Sequence, residues 1–257
     1  MNAISLFAAP RVPVKAAATW SATSFPSWYR DGKAVVYTSH YQGQQPGLAL
    51  SSRGGLKPGP FLGAILPGAP KYRGVFNPTG DALAFVSSVD DAAEIFSVGR
   101  DGQQLQRLTH SPSIEISPSW SPDGRSIAFV SDRSGSPQIY VMNHDGRGAR
   151  RLTFQGSYNT GPVWSPDGRW IAYETRLESQ FDIWLIDPTG EVNFPLVQHP
   201  LSDETPSWSP DGRKLVFSSN RRGRADLYMV DVDGGRLQRL TRGEGDNIQP
   251  SWGPFLQ

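Results

Sequence analysis

A five-residue sequence, Trp-Ser-Pro-Asp-Gly, recurs along the chain at a nearly fixed spacing. Three copies are identical and three are degenerate, and their lead aromatic residues are Trp28, Phe76, Trp120, Trp164, Trp208 and Trp252. Successive lead aromatics are 48, 44, 44, 44 and 44 residues apart. A register that is held this closely indicates a repeat protein in which each copy is one supersecondary unit.

Each repeat is predicted to form four short antiparallel strands. In the third repeat the first strand ends at the turn Asp123-Gly124, and residues 126–131 alternate as a second strand. Residues 138–142 and 149–153 follow as the third and fourth strands, separated by a second Asp-Gly pair. Because Asp-Gly supplies the positive φ of two-residue hairpin turns, this pattern is typical of a propeller blade.

Six lead aromatics predict an all-β fold, a six-bladed β-propeller that forms a single domain over residues 1–257. Each lead aromatic is expected in the core, since one buried Trp removes ~150–250 Å² from water. The closing blade is expected to be split between the termini, with 252–257 as its inner strand and 1–27 supplying the rest. These two segments are about 11 residues shorter than a full repeat, so the closing blade is expected to lack about one strand.

Composition excludes several classes of function. With 25 basic and 24 acidic residues the net charge is +1, so no nucleic-acid partner is predicted. The chain contains no Cys, which excludes disulfides and a thiol nucleophile. No apolar run approaches the ~20 residues of a membrane span, and the N-terminal sequence lacks the basic region of a signal peptide. A monomer is expected.

The repeat also carries a family resemblance. It reads, in the third copy, as Pro118, then 120–124, Ile127-Ala128-Phe129, Ser131-Asp132-Arg133, 139–142, 145–146 and Arg151-Leu152-Thr153. This pattern resembles the TolB-like β-propeller repeat family, and the stretches 201–212 and 249–257 are similar to the end of the C-terminal propeller domain in the TolB proteins of the Tol–Pal system. The resemblance implies a periplasmic protein whose propeller binds a peptidoglycan-associated lipoprotein or peptides at the mouth of the central channel. A cytoplasmic location is the alternative.

Two columns of the repeat, five and four residues before each lead aromatic, are polar and vary between copies. They precede the inner strands, on the face that carries the longer and more variable loops, where binding sites concentrate. We therefore predict a ring of hydrogen-bonding groups at the channel mouth, with an acidic sector formed by Glu115, Asp203 and Glu204. The predicted partner-binding residues are Glu115, Asn159, Thr160, Asp203, Glu204, Thr205 and Asn247. Ordinary solvated loop residues are the alternative interpretation.

Catalytic signals are poor, so a non-catalytic scaffold with no cofactor and no metal is predicted. The four histidines, His40, His110, His144 and His199, fall in separate repeats and are not expected to converge on an ion. The chain lacks the Gly-x-Ser-x-Gly sequence of a nucleophile elbow. Two alternatives stay open, an accessory propeller of a peptidase and a metal-dependent enzyme similar to the oligogalacturonate lyases.

Overall fold

The computed structural model describes residues 20–41, 45–52, 59–90, 92–242 and 245–254. These residues form five antiparallel sheets of four strands each, and every sheet keeps its strands in chain order. The first strands of neighbouring sheets contact one another, so the sheets are the blades of a propeller with the first strand of each blade innermost. None of the described residues is helical, and this part of the chain has no helix that could cross a membrane.

Each blade follows the four-strand pattern that the repeat predicts. The strands of the first three blades are β1 Trp20–Trp28, β2 Ala34–Tyr41, β3 Gly47–Ser52, β4 Gly59–Pro60, β5 Lys71–Phe76, β6 Ala82–Asp90, β7 Ala92–Gly99, β8 Gln106–Arg107, β9 Glu115–Trp120, β10 Ser126–Ser131, β11 Gln138–Asn143 and β12 Arg150–Arg151. The strands of the last two are β13 Tyr158–Trp164, β14 Ile171–Arg176, β15 Phe181–Ile186, β16 Asn193–Val197, β17 Asp203–Trp208, β18 Lys214–Ser219, β19 Asp226–Asp231 and β20 Gln238–Arg239.

The description of the closing blade needs correction. Residues 20–27, which the sequence interpretation assigned to that blade, instead belong to β1, the inner strand of the first blade, where β1 pairs with β2. Residues 252–254, predicted to begin an inner strand, have no assigned secondary structure. Five blades are therefore seen among the described residues where six were predicted. The rest of the predicted closing blade, residues 1–19 and 255–257, lies outside the described residues.

Residues 249–252 nevertheless lie between the fifth and first blades. The backbone N–H of Trp252 donates to Ser207 Oγ of the fifth blade at 3.0 Å, as the N–H of Trp164 donates to Ser119 Oγ two blades earlier. On the other side the indole N–H of Trp28 donates to the carbonyl of Ser251 at 3.2 Å. An equivalent hydrogen bond between the fourth and fifth blades runs from the indole N–H of Trp208 to the carbonyl of Val163. The terminal segment thus occupies the position of a sixth inner strand.

The hydrophobic core is a series of layers between blades. Four clusters of buried residues each combine side chains of two neighbouring blades. Phe76, Trp120, Trp164 and Trp208 each pack in the layer between their own blade and the preceding one. The prediction that these lead aromatics belong to the core is confirmed, and burial of blade faces against each other stabilises the ring.

The Ser-Pro-Asp-Gly turns are structural. In the third blade Ser121 Oγ donates to Asp123 Oδ1 at 2.6 Å, and Asp123 Oδ1 accepts the backbone N–H of Arg125 at 3.0 Å. These bonds, that of Ser121 first, hold the pKa of the Asp123 carboxyl below its usual value. Gly124 has φ 71°, and a Cβ at this position would lie 3.8 Å from Cδ of Pro78 in the preceding blade. Each turn therefore also contacts the next one around the ring.

The four-residue insertion between the first two lead aromatics is packed against the core. Ile65 is 8% exposed and belongs to the layer between the first and second blades, with Phe61, Leu62 and Leu66 against it. The Lys71 ammonium donates to the carbonyls of Leu66 and Ala69, each at 3.0 Å. The described part of the segment between the first two lead aromatics therefore packs against the layer between the first and second blades.

Candidate functional site

A β-bulge interrupts the inner strand of every described blade at the same place. In the first blade Ser24 pairs with Thr38 and Ser27 pairs with Val36, so the inner strand has one more residue than β2 between these two pairs. The other four inner strands show the same shift. The bulge residue has φ between 53° and 60° in all six repeats, including the terminal segment. These six residues, the bulge ring, are Phe25, Arg73, Ser117, Gly161, Thr205 and Gln249.

Side chains of the bulge ring contact each other around the axis. Gln249 Oε1 accepts the backbone N–H of Phe25 at 3.0 Å, which joins the terminal segment to the first blade. The Arg73 guanidinium lies 3.8 Å from the centroid of the Phe25 ring. It also donates from Nη1 to Ser117 Oγ at 2.7 Å. Four of the six ring positions are therefore linked into one arc along the inner strands.

Glu174 completes the ring on the opposite arc. Its carboxylate is 8% exposed, and its Oε1 accepts the backbone N–H of Thr205 at 2.9 Å. A Cβ at Gly161 would lie 2.6 Å from Glu174 Oε1, so the glycine leaves the space that the carboxylate fills. Burial raises the pKa of Glu174 to about 7, while the Thr205 N–H bond acts in the opposite direction. Glu174 and Arg73 also act on each other electrostatically.

Three predicted mouth residues are fully buried. Glu115, Asn159 and Asp203 are each 0% exposed. Glu115 pairs with Arg133 at 3.0 Å and accepts the Ser131 hydroxyl at 2.8 Å. Such buried groups hold the start of each inner strand in place and are positioned behind the surface that a partner could touch.

The side chains of Asp203 and Asn159 are likewise bound to neighbouring side chains. Asp203 pairs with Arg221 at 2.8 Å, and the arginine side chain is 11% exposed. Asn159 donates from Nδ2 to Gln138 Oε1 of the preceding blade at 2.8 Å. The acidic character predicted for this sector is therefore neutralised at Glu115 and Asp203 by a paired arginine.

The other predicted mouth residues remain partly accessible. Thr160, Glu204, Thr205 and Asn247 are all half-buried at the beginning of inner strands or of the terminal segment. Thr205 belongs to the bulge ring, and Asn247 donates its backbone N–H to the carbonyl of Ala225 at 2.9 Å. The bulge ring, which is the column three residues before each lead aromatic, was predicted as a site only at Thr205, although its side chains vary as much between copies as those of the two predicted columns.

Exposed apolar side chains are concentrated on the face where the inner strands begin. Of nine large hydrophobic residues described as exposed, only Leu105, Val192 and Leu237 lie at the hairpin turns of the opposite face. The remaining six lie near the end of the second strand, in the loops after it, or between blades, and are Val89, Ile114, Phe154, Leu177, Leu201 and Ile248. Apolar residues that are exposed singly are common on protein surfaces, so these six do not by themselves mark an interaction site.

The histidines do not converge in the described part of the chain. His110 and His144 are exposed, and they lie on opposite faces of the propeller by the order of their strands. Within the described residues, no group of three or more His, Cys, Asp or Glu is arranged to hold a metal ion.

Blades of four antiparallel strands, a ring of bulges on the innermost strands and a loop face rich in exposed apolar residues define a β-propeller of the repeat-protein class. A family model for the TolB β-propeller domain matches residues 65–256. The chain belongs to the TolB β-propeller family.

Comparison with individual proteins agrees with this family. A Tol–Pal system protein TolB from Anaeromyxobacter dehalogenans (strain 2CP-1) is 41% identical over 97 residues, which are 37% of this chain and 21% of that protein. The match thus spans about a fifth of the curated relative. The crystal structure of TolB from Acinetobacter baumannii superimposes with a TM-score of 0.79 at 28% identity, covering 91% of this chain and 57% of that one.

An oligogalacturonate lyase in complex with manganese superimposes with a TM-score of 0.63 at 16% identity, over 87% of this chain and 66% of that one. At this identity the likeness extends to the fold alone.

Proposed function

We propose that the chain is a non-catalytic scaffold that binds a protein or peptide at the channel mouth, as part of a Tol–Pal system in the periplasm. The bulge ring is the observation that carries this proposal. Its six positions share one backbone conformation, yet they carry six different residue types. The lead aromatics, which pack in the core, are alike between copies, and the bulge ring differs from them in this respect.

The backbone of the ring supports a binding role. Five of its six residues are not glycine, and a left-handed φ costs such residues about 1–3 kcal/mol each. Thr205 is β-branched, which makes its φ of 55° especially unfavourable. Strain of this kind persists where the surrounding structure enforces it and is concentrated at ligand sites.

The proposed contact surface combines the ring with the accessible mouth residues. Thr160, Glu204 and Thr205 offer hydroxyl and carboxylate groups where the inner strands begin, and Ile248 offers an apolar side chain that is 49% exposed. A peptide that enters from this face meets hydrogen-bonding groups together with an exposed apolar side chain, and protein interfaces combine both kinds of contact. Glu115, Asn159 and Asp203 position this surface from behind, and the half-buried Asn247 belongs to the surface itself.

The soluble domain of the peptidoglycan-associated lipoprotein from the same organism is the partner to test. Isothermal titration should give a measurable Kd with the wild-type chain. Glu204→Gln and Thr160→Val should each weaken binding about tenfold, equivalent to ~1.4 kcal/mol. Asp233→Asn is the matched control, because Asp233 is exposed on a hairpin turn of the opposite face.

Two outcomes would contradict the proposal. If the wild-type chain does not bind the lipoprotein, the Tol–Pal assignment is wrong. If it binds, and both mouth variants keep the wild-type Kd, the binding surface lies elsewhere on the propeller. Unchanged heat-denaturation midpoints of the two variants separate a lost contact from a lost fold.

An enzymatic role is the second candidate, because propellers of this fold include a lyase that holds manganese. Metal analysis of the purified chain tests it. Stoichiometric manganese or another divalent ion, together with cleavage of oligogalacturonate, would replace the scaffold proposal.

A further inference from the structure

A column of polar residues begins the third strand of successive blades. Its members are Glu94, Gln138, Asp182 and Asp226, and all four are at most 4% exposed. On the neighbouring fourth strand the residues opposite Phe96, Tyr140, Trp184 and Tyr228 are Arg107, Arg151, Pro195 and Arg239 respectively. In the fourth blade the fourth strand has one extra residue between Pro195 and Val197. The fourth blade alone among these has no arginine at that position.

In the other blades each acid of this column is compensated. Glu94 forms an ion pair with Arg107 at 3.0 Å, and Asp226 forms one with Arg239. The third blade has the neutral Gln138, whose Oε1 accepts hydrogen bonds from Thr153 and Asn159. The repeat therefore places a guanidinium beside the carboxylate whenever this position is acidic and the fourth strand permits it.

Asp182 is the exception. It is 4% exposed and forms no ion pair within the described part of the chain. Its Oδ1 accepts the backbone N–H of His199 at 3.2 Å, and the Gln198 side chain also donates to the carboxylate. Burial raises the pKa of Asp182, and the adjacent Asp203 raises it further.

The neighbouring acid does not supply the missing cation. Arg221 is already paired with Asp203 Oδ1 at 2.8 Å, and the other carboxylate oxygen of Asp203 is buried without a hydrogen-bond partner. Two carboxylates that act on each other electrostatically, one in the fourth blade and one in the fifth, thus have one guanidinium, that of Arg221. The equivalent pair between the second and third blades, Glu94 and Glu115, has two arginines.

A shallow cavity of about 530 Å³, wide open to solvent, lies beside Asp182. Its lining contains two carboxylates, two side-chain amides and an imidazole, but no lysine or arginine: Glu178, Ser179, Gln180, Asp182, Gln198, His199 and Pro200. The loops that form it join the second to the third strand and the fourth blade to the fifth, so it opens on the same face as the channel mouth. Glu178 is exposed at this cavity and adds a second negative charge.

We propose that this cavity binds a guanidinium group, the side chain of an arginine in a partner protein, in the place that Arg107 and Arg239 occupy in their own blades. The Asp182 carboxylate accepts hydrogen bonds from the guanidinium inside the cavity. The Glu178 carboxylate and the side-chain oxygen of Gln198 accept hydrogen bonds from its outward N–H groups. A planar fork of donors suits such a set of oxygens better than a lysine ammonium does. This site lies outside the bulge ring and does not depend on the function proposed for the ring.

Short peptides test the charge requirement directly. Acetyl-Gly-Arg-Gly-amide is titrated into the ¹⁵N-labelled full chain, and matched peptides carry citrulline or lysine in place of arginine. The arginine peptide should shift the amide resonances of Asp182 and His199, whereas citrulline, the neutral isostere, should not. The lysine peptide should bind at least about threefold more weakly, because it lacks the fork. Equal shifts with arginine and citrulline, or equal affinity for arginine and lysine, would overturn the assignment.

Two variants test the residues. Asp182→Asn should weaken the arginine peptide at least about tenfold, and Glu191→Gln, exposed at a hairpin turn of the opposite face, should leave it unchanged. Pro195→Arg supplies the guanidinium within the chain and should abolish binding while raising the thermal midpoint. An Asp182→Asn variant that binds like the wild type, or a folded Pro195→Arg variant that still binds the peptide, would refute the site. Should Asp182→Asn fail to fold, Pro195→Arg decides the question.

Discussion

At the scale of single residues, the charged groups of this propeller fall into two kinds. Those at the start of the inner strands, such as Glu115 and Asp203, are buried and matched by arginines of the loop that follows the second strand. Glu174, by contrast, faces the bulge ring and lies beside a backbone N–H without an ion pair in the described part of the chain. The first kind holds the blade together, and the second leaves a buried carboxyl with a pKa of about 7 beside the mouth, where we propose that a partner binds.

Removing one member of a matched pair should be costly. Asp203→Asn leaves the Arg221 guanidinium, 11% exposed, without its carboxylate, and we expect a loss of about 3 kcal/mol in the free energy of unfolding. Urea denaturation followed by tryptophan fluorescence measures it. Arg222→Gln, at an exposed neighbouring position, should change stability by less than about 0.5 kcal/mol. A loss at Asp203 no larger than this would mean that the pair contributes little.

Glu174 should give the fold a characteristic dependence on pH. Its folded pKa of about 7 lies above that of an unfolded glutamate, so the folded state binds more protons between about pH 4.5 and 7. Its contribution to stability is therefore present at acidic pH and is lost as the pH rises through 7. The Glu174→Gln variant does not have this loss. Its free energy of unfolding, relative to that of the wild type, should therefore rise by up to about 3 kcal/mol from pH 5 to pH 8.

Unfolding of both proteins at the two pH values measures this gain. Glu191→Gln, an exposed carboxylate on the opposite face, is the control and should show no such change. A difference between Glu174→Gln and wild type that is the same at pH 5 and pH 8 would show that the carboxylate is not desolvated.

At the scale of elements, the sequence predicted the strands and turns well, and the mouth only in part. Asp-Gly and Ser-Pro-Asp-Gly determine their turns by local geometry, so their structure follows from the residues alone. The orientation of the residues before each bulge does not. One extra residue reverses the alternation of side chains, so counting back from Trp208 does not give the side of the strand on which Asp203 lies.

Variation between repeats was a further source of error. Glu115, Asn159 and Asp203 differ, which suggested exposure, but all three are buried, and their side chains are bound by Arg133, Gln138 and Arg221 respectively. Variation of this kind reflects alternative ways of satisfying the same buried position. The broken member of the arginine column, Pro195, is visible in the sequence, but only the strand register shows which acid it leaves unmatched.

Two glycines of the third blade should separate backbone strain from packing. Gly135 and Gly146 have φ of 92° and 88°, so alanine is strained at both. A Cβ at Gly135 meets nothing within 4 Å, whereas at Gly146 it would lie 2.3 Å from the carbonyl oxygen of Leu108 in the second blade. We expect Gly135→Ala to cost about 1 kcal/mol and Gly146→Ala about 3 kcal/mol or more, measured by urea denaturation. An equal loss of stability in the two variants would mean that the backbone near Leu108 moves to accept the added Cβ at little cost.

At the scale of the whole molecule, the terminal segment joins the last described blade to the first. Its residues 249–252 form hydrogen bonds on both sides, to Ser207 of the fifth blade and to Phe25 and Trp28 of the first. A ring that is closed in this way keeps its innermost strands fixed around the axis, and the mouth depends on that arrangement. The repeat spacing predicted this position for Trp252.

Loss of the terminal segment should therefore open the ring. A chain that ends at residue 248 loses the three hydrogen bonds and the contact of Trp252, and we expect a loss of about 3–6 kcal/mol. Thermal unfolding measures the loss, and small-angle scattering should show a larger radius of gyration. A chain that ends at residue 254 keeps all three bonds and should match the full-length protein. If the shorter chain unfolds at the full-length midpoint, the segment does not close the ring.

Docking of a partner at the channel mouth can be measured by hydrogen exchange with and without the bound lipoprotein domain. We expect the partner to slow exchange in the loops and strand starts around Tyr72, Ile116, Thr160, Glu204 and Ile248, while the hairpin turns at 123–124, 167–168 and 211–212 are unaffected. Protection at those turns, with no change at the strand starts, would place the partner on the opposite face and rule out docking at the mouth.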